Sequence, residues 1–251
     1  MENAYGKLAA WVYHLDKPIG HSFGDLEYYR ERLAGCTGAI LEPATGNGRI
    51  LVPLLESGLD IEGFDASEEM LHYCRQECLQ RNLNPRLTRQ KFQDFTGPRR
   101  YEAIIMPAGS FQLITNTASA LALLQRCYDN LLPGGRLILD TDNSKEIIQS
   151  KGALRSWKVS DNERLTLSSS DPDINYVQQT TLTYLRYEHW QDGLLTHSEL
   201  DLFCLRWWGI YELTFALRAA GFTDVIVSGG YQHGRAAGND DAIISFEARR
   251  P

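Results

Sequence analysis

From Ala39 onward the chain alternates short apolar runs with amphipathic stretches. Ala39–Glu42 reads as a buried strand, and Ile50–Leu55 as part of a helix that ends near Gly58. Ile61–Phe64 reads as a second strand closed by Asp65. Ser67 caps the next helix, with Glu68 and Glu69 in its first turn, where acids suit the helix dipole. Leu87–Lys91 and Ala103–Met106 give a third and a fourth strand. A helix over about Ala118–Leu132 stops at Pro133–Gly135, and Leu137–Leu139 gives a fifth strand. This alternation predicts a doubly wound, mostly parallel sheet of seven strands with helices on both faces.

The rhythm breaks at Ser144. From there to Arg206 the period shortens to two, and Asp192-Gly193 is a hairpin signal between two strand-like runs. It resumes with a helix over Ile210–Ala220, Gly221 as its C-cap, and strands near Val225–Val227 and Ala242–Phe246. Residues 144–206 are therefore expected to be an antiparallel β insertion in one α/β domain made of 39–143 and 207–251. Residues 1–38, aromatic and charged with a helix over Phe23–Gly35, are expected to cover that domain.

Composition adds limits. The 251 residues are 43% hydrophobic, enough for a sizeable core. A formal net charge of −7 disfavours nucleic acid as a partner. No apolar run approaches the ~20 residues that cross a bilayer. Five cysteines without a CxxC pair, and no signal-like N-terminus, lead to the expectation of a soluble cytoplasmic protein with reduced thiols.

The candidate chemistry lies in Glu42–Gly48, EPATGNG. A dinucleotide loop places a third glycine at what is here Leu51, and a carboxylate at Glu42 would repel a pyrophosphate at the helix N-terminus. It would attract a cation instead. The segment resembles the first motif of the class I S-adenosylmethionine-dependent methyltransferases, small-molecule subgroup, with Ala44 where that family usually has its first glycine.

The resemblance implies S-adenosyl-L-methionine as cofactor, held by Tyr29, Glu42, Ala44, Gly46, Gly48, Arg49, Asp65, Ala66, Met70, Asp94, Phe95 and Pro107. Glu42 would meet the cofactor's ammonium and Asp65 its ribose hydroxyls, while Ala66 and Met70 would flank the adenine. Asp94 would accept from the adenine amine with Phe95 on the ring; N-capping is an equal reading of Asp94. Arg49 is either a solvated first-turn residue or a carboxylate contact. Ala103–Ile114 resembles the fourth motif, which borders cofactor and acceptor, with Leu113 where relatives carry a histidine. Tyr13, His14, Ser110 and Gln112 are the candidates for acceptor contact, and the tryptophan-rich insertion is the candidate lid.

Asp142-Asn143 mimics the acid-amide pair of metal-dependent catechol methyltransferases. Met106–Gly109 lacks the second acid they use, so no metal site is expected. The sequence thus points to an enzyme, monomer or homodimer, that methylates nitrogen or oxygen of a small-molecule acceptor. A cofactor-binding scaffold without turnover is the alternative, and a nicotinamide oxidoreductase, disfavoured by Glu42 and Leu51, a third.

Overall fold

The computed structural model describes residues 5–251; the first four residues of the expected N-terminal cover lie outside the described residues. Helices α1 (Lys7–Asp16) and α2 (Asp25–Arg32) lead into the alternating unit. This comprises β1 (Ile40–Pro43), α3 (Leu51–Glu56), β2 (Ile61–Asp65), α4 (Glu68–Gln80), β3 (Leu87–Arg89), β4 (Tyr101–Met106), α5 (Thr117–Asn130) and β5 (Leu131–Asp142). A short α6 (Ser144–Ile148) precedes β6 (Leu154–Lys158), β7 (Glu163–Ser169), β8 (Asp173–Asn175), β9 (Thr180–Gln191) and β10 (Leu194–Arg206). The chain closes with α7 (Ile210–Ala219), β11 (Thr223–Gly229) and β12 (Ile243–Arg249).

The main sheet has seven strands in the order β11-β12-β5-β4-β1-β2-β3. Its strands are parallel except for β12, which pairs antiparallel with both β5 and β11. Two-residue periodicity sorts the core. Leu41, Ile104, Leu137 and Leu139 face the layer that holds α5 and α7, while Ile40, Ala103, Ile105 and Ile138 face α2, α3 and α4. Each of these is almost fully buried, worth about 1.5–3 kcal/mol per large apolar side chain.

The second sheet is antiparallel, in the order β10-β9-β7-β6, with β8 on β9. Asp192 and Gly193 form the expected two-residue turn, both at positive φ (51° and 78°). Helix α1, not anticipated from the sequence, packs Leu8, Ala9 and Val12 on Leu165 and Tyr187 of this sheet. The Pro133–Gly135 stop is not a free loop. Leu131 already pairs with Tyr101, and Gly134 and Gly135 exchange backbone bonds with Arg250, so the turn is absorbed as an irregular start of β5. Among the described residues, no helix is long and apolar enough to cross a membrane.

Candidate active site

The turn after β1 is forced into left-handed backbone at three positions: Ala44 (φ 56°), Gly46 (59°) and Gly48 (87°). At Gly48 an added Cβ would lie 2.7 Å from Cys74 Sγ, so glycine there allows α4 to close on the loop. Ala44 holds the same kind of backbone with a methyl group, a strain of about 1–2 kcal/mol.

Asp65, at the end of β2, locks the turn from the other side. Its Oδ2 accepts from Gly46 N–H at 2.9 Å and its Oδ1 from Ser67 N–H at 2.8 Å. Burial still pushes its carboxyl up, against the pull of these backbone bonds. Asn47 ties the turn to α1, donating to Lys17 O at 3.0 Å.

Behind the turn, Glu42 is buried and its Oε2 has no hydrogen-bond partner among the described residues. Burial pushes its carboxyl well up, and Arg49 pulls the other way. An orphaned carboxylate oxygen beside a glycine turn fits a ligand that brings an N–H donor and positive charge.

These loops open into a cavity of about 970 Å³ across the carboxyl ends of the parallel strands. One end is walled by Ala44, Gly46, Asp65, Ala66, Met70 and Gln90–Gln93. Ala108–Ser110 and Leu113 lie along its side. Tyr13, Lys17, Phe23, Asp25, Asp142, Phe203, Leu205 and Tyr231 are also part of its wall.

Of the expected site residues, Tyr13, Ala44, Gly46, Asp65, Ala66, Met70 and Ser110 line this cavity. Glu42, Gly48 and Pro107 are buried in the same loops without lining it. The others are corrections to the expected set. His14 follows Tyr13 on α1, where one step turns a side chain by about 100°. It stacks on Tyr73 at 4.4 Å and reaches Glu77 at 3.3 Å.

Gln112 is fully buried and clasps the main chain of Asp142, accepting from its N–H at 2.8 Å and donating to its C=O at 3.3 Å. Tyr29 donates to Asp140 Oδ2 at 3.0 Å in the core. Arg49 is a carboxylate contact: its guanidinium forks onto buried Asp25 and also donates to His21 O at 2.7 Å. Asp94 is exposed and Phe95 stacks under Phe64 at 5.2 Å, so the cavity wall at this loop is Gln90–Gln93.

Lys17, Phe23, Phe203, Leu205 and Tyr231 were not anticipated, and Asp142 was weighed only as a metal ligand. Asn143 is occupied as the cap of α6, accepting from Lys145 N–H at 3.1 Å, and it donates to Asp241 O. The tryptophans expected to form a lid lie elsewhere. Trp157 packs with α1 and donates to Asp16, while Trp190 donates to Thr166. Phe203 and Leu205 are what the second sheet contributes to the cavity.

Asp140 holds three walls together. Gly109 N–H donates to its Oδ1 at 2.7 Å, and the Tyr29 and Tyr231 hydroxyls both donate to its Oδ2 at 3.0 Å. Burial nevertheless pushes this carboxyl to about 6, above its ordinary 3.8. A folded-state value above the unfolded one means that the fold favours the protonated acid. The stability it contributes is whole below about pH 4 and is lost as pH rises through about 6, a span of about 3 kcal/mol. Melting curves should show the native protein losing ground to Asp140→Asn across that window and nowhere above it. Parallel curves for the two proteins would contradict this.

The sheet order and the glycine turn facing an acid at the end of β2 define a Rossmann-like cofactor domain, and residues 40–135 match the methyltransferase domain family. Over those residues the chain is similar to methyltransferase domains, and its fold is one found in S-adenosylmethionine-dependent methyltransferases. Similar proteins include a putative methyltransferase, YqeM, of Bacillus subtilis (strain 168), 27% identical over 145 residues, or 57% of this chain and 53% of that one. A glycine/sarcosine N-methyltransferase of Halorhodospira halochloris is 34% identical over 131 residues, 51% of this chain and 48% of that one. The chain thus spans about half the length of these curated relatives.

The fold is shared with a S-adenosylmethionine-dependent methyltransferase from Clostridium acetobutylicum, at a TM-score of 0.77 and 16% identity over 98% of both chains. It is also shared with the sugar N-methyltransferase KedS8 from Streptoalloteichus, at 0.74 and 18% over 100% of this chain and 96% of that one.

The orphaned Glu42 oxygen gives the cofactor fit a direct test. Glu42→Gln keeps the shape and removes a charge-assisted acceptor worth about 1.5–3 kcal/mol, so S-adenosylhomocysteine should bind roughly ten- to a hundredfold more weakly. Unchanged affinity by calorimetry would remove Glu42 from the site.

Proposed function

We propose that the protein transfers the methyl group of S-adenosylmethionine to an amino nitrogen of a small molecule. The observation that carries this reading is the state of Asp142. Its carboxylate lies in the cavity wall at the carboxyl end of β5, and among the described residues no hydrogen bond or ion pair reaches it. Burial pushes it above the usual carboxylate range, with Lys17 pulling it down and Glu146 up. A half-desolvated carboxylate of this kind attracts an ammonium and accepts its proton.

When bound, S-adenosylmethionine supplies a methyl group already activated on a sulfonium. Glu42, Asp65 and the Ala44–Gly48 turn are the residues that would hold it. The chain's remaining work is alignment, exclusion of water and removal of one proton. Asp142 orients the amine and takes the proton that blocks its lone pair. Gln112 fixes the main chain on both sides of Asp142, and Phe203 and Leu205 help to dry the cavity. Nitrogen as the target is supported by similar proteins, which include a glycine/sarcosine N-methyltransferase and a sugar N-methyltransferase.

Mass spectrometry of reactions with small amines and with their hydroxyl counterparts tests the reading. Methyl gain on amines alone is expected. Gain on the hydroxyl compounds alone would replace it with O-transfer, and gain on neither would favour a cofactor-binding scaffold.

A further inference from the structure

Four charged side chains line or press on the cavity around Lys17 and Asp142, and each already has a partner. Asp25 is paired with Arg49 and Asp16 with Arg155. Lys17 and Asp142 remain. The Lys17 ammonium sits 4.9 Å from the ring centre of Tyr13 and 5.9 Å from that of Phe23, and among the described residues no carboxylate comes within ion-pair distance. It feels the charge of Asp142 without pairing with it.

A largely buried ammonium with aromatic faces beside it and no ion pair is incompletely compensated, and an anion is the group that completes it. The arginines near it, Arg49 and Arg155, are already paired with Asp25 and Asp16, and the one ammonium left without an ion pair matches a singly charged carboxylate better than a phosphate. Resting on the amine-transfer reading above, we propose that Lys17 receives a carboxylate, so that the acceptor is a small amino acid held as a zwitterion between Lys17 and Asp142. The cofactor's own methionyl carboxylate is the other source of this chemistry. Arg49, beside the glycine turn, also acts on Lys17 but is already paired with Asp25, whereas Asp142 lies unpaired in the same cavity wall as Lys17, which favours the acceptor.

The test is a set of free amino acids, their amides and amino sugars, assayed with the native protein and with Lys17→Gln. The native protein should prefer at least one free amino acid to its amide by about tenfold or more, an ion pair's worth of recognition. Lys17→Gln should erase that preference through KM, leave kcat close to native, and leave S-adenosylhomocysteine binding within about twofold, since the lost contact is to the acceptor. Equal use of acids and amides, or an unchanged preference in Lys17→Gln, overturns the proposal while leaving amine transfer intact.

Weaker binding of S-adenosylhomocysteine but not of 5′-methylthioadenosine in Lys17→Gln overturns it in favour of the cofactor's carboxylate. Turnover of no amine at all contradicts the amine-transfer reading itself.

Discussion

Asp142→Asn should lower kcat/KM for an amine acceptor at neutral pH by roughly a hundred- to ten-thousandfold, the usual contribution of a positioned proton acceptor. The asparagine fills the same volume, and the Gln112 clasp acts on the main chain, which the substitution leaves in place. Melting temperature and S-adenosylhomocysteine affinity should therefore stay near native. The loss has a signature that a structural role would not produce. An amine deprotonates itself at higher pH, so the deficit should shrink as pH rises toward the acceptor's own pKa. A variant with native turnover, or with a deficit that does not change with pH, would take Asp142 out of the chemistry.

Asp65→Ala should weaken S-adenosylhomocysteine by at least about a hundredfold. Two ribose hydroxyls facing one carboxylate make charge-assisted bonds of about 1.5–3 kcal/mol each. The substitution also strands Gly46 N–H and Ser67 N–H, each of which loses its carboxylate partner. The unliganded protein should accordingly melt lower, by the equivalent of about 1–3 kcal/mol. Asp65 is both a turn lock and a ligand group, so the two effects arrive together. Calorimetry well below the melting range separates them, and native affinity there would reduce Asp65 to a structural acid.

The sheet was legible because its strands bury both faces and its helices one. Ile40, Leu41, Ile61 and Ile104–Met106 could only belong to a covered parallel sheet, and Asp192-Gly193 fixed the hairpin by turn chemistry alone. Helix α1 was not legible, since its apolar side is the short set Leu8, Ala9 and Val12 and its burial comes from a sheet more than a hundred residues away. The cavity lining was readable where residues are bound to one motif, as at Ala44, Gly46 and Asp65. At Asp94 and Phe95 the motif was read too far along the chain, because a short helical turn displaces the wall to Gln90–Gln93.

The residues proposed to meet the acceptor were mostly hidden. Lys17 caps the end of one helix, Asp142 ends one strand and Phe203 lies within another, and only tertiary packing brings them together. His14 and Gln112 were polar residues next to the right places. Helical phase turned the first away, and a main-chain clasp took up the second.

The most direct measurement is a calorimetric titration of the native protein with S-adenosylhomocysteine and, separately, with NADH. Saturable one-site binding of S-adenosylhomocysteine, weakened by about a hundredfold or more in Asp65→Ala, with no heat from NADH, is the result expected of a carboxylate-guarded glycine turn. Saturable binding of NADH, with none of S-adenosylhomocysteine, would mean that Glu42 and the turn hold a pyrophosphate after all, and methyl transfer by this chain would be refuted.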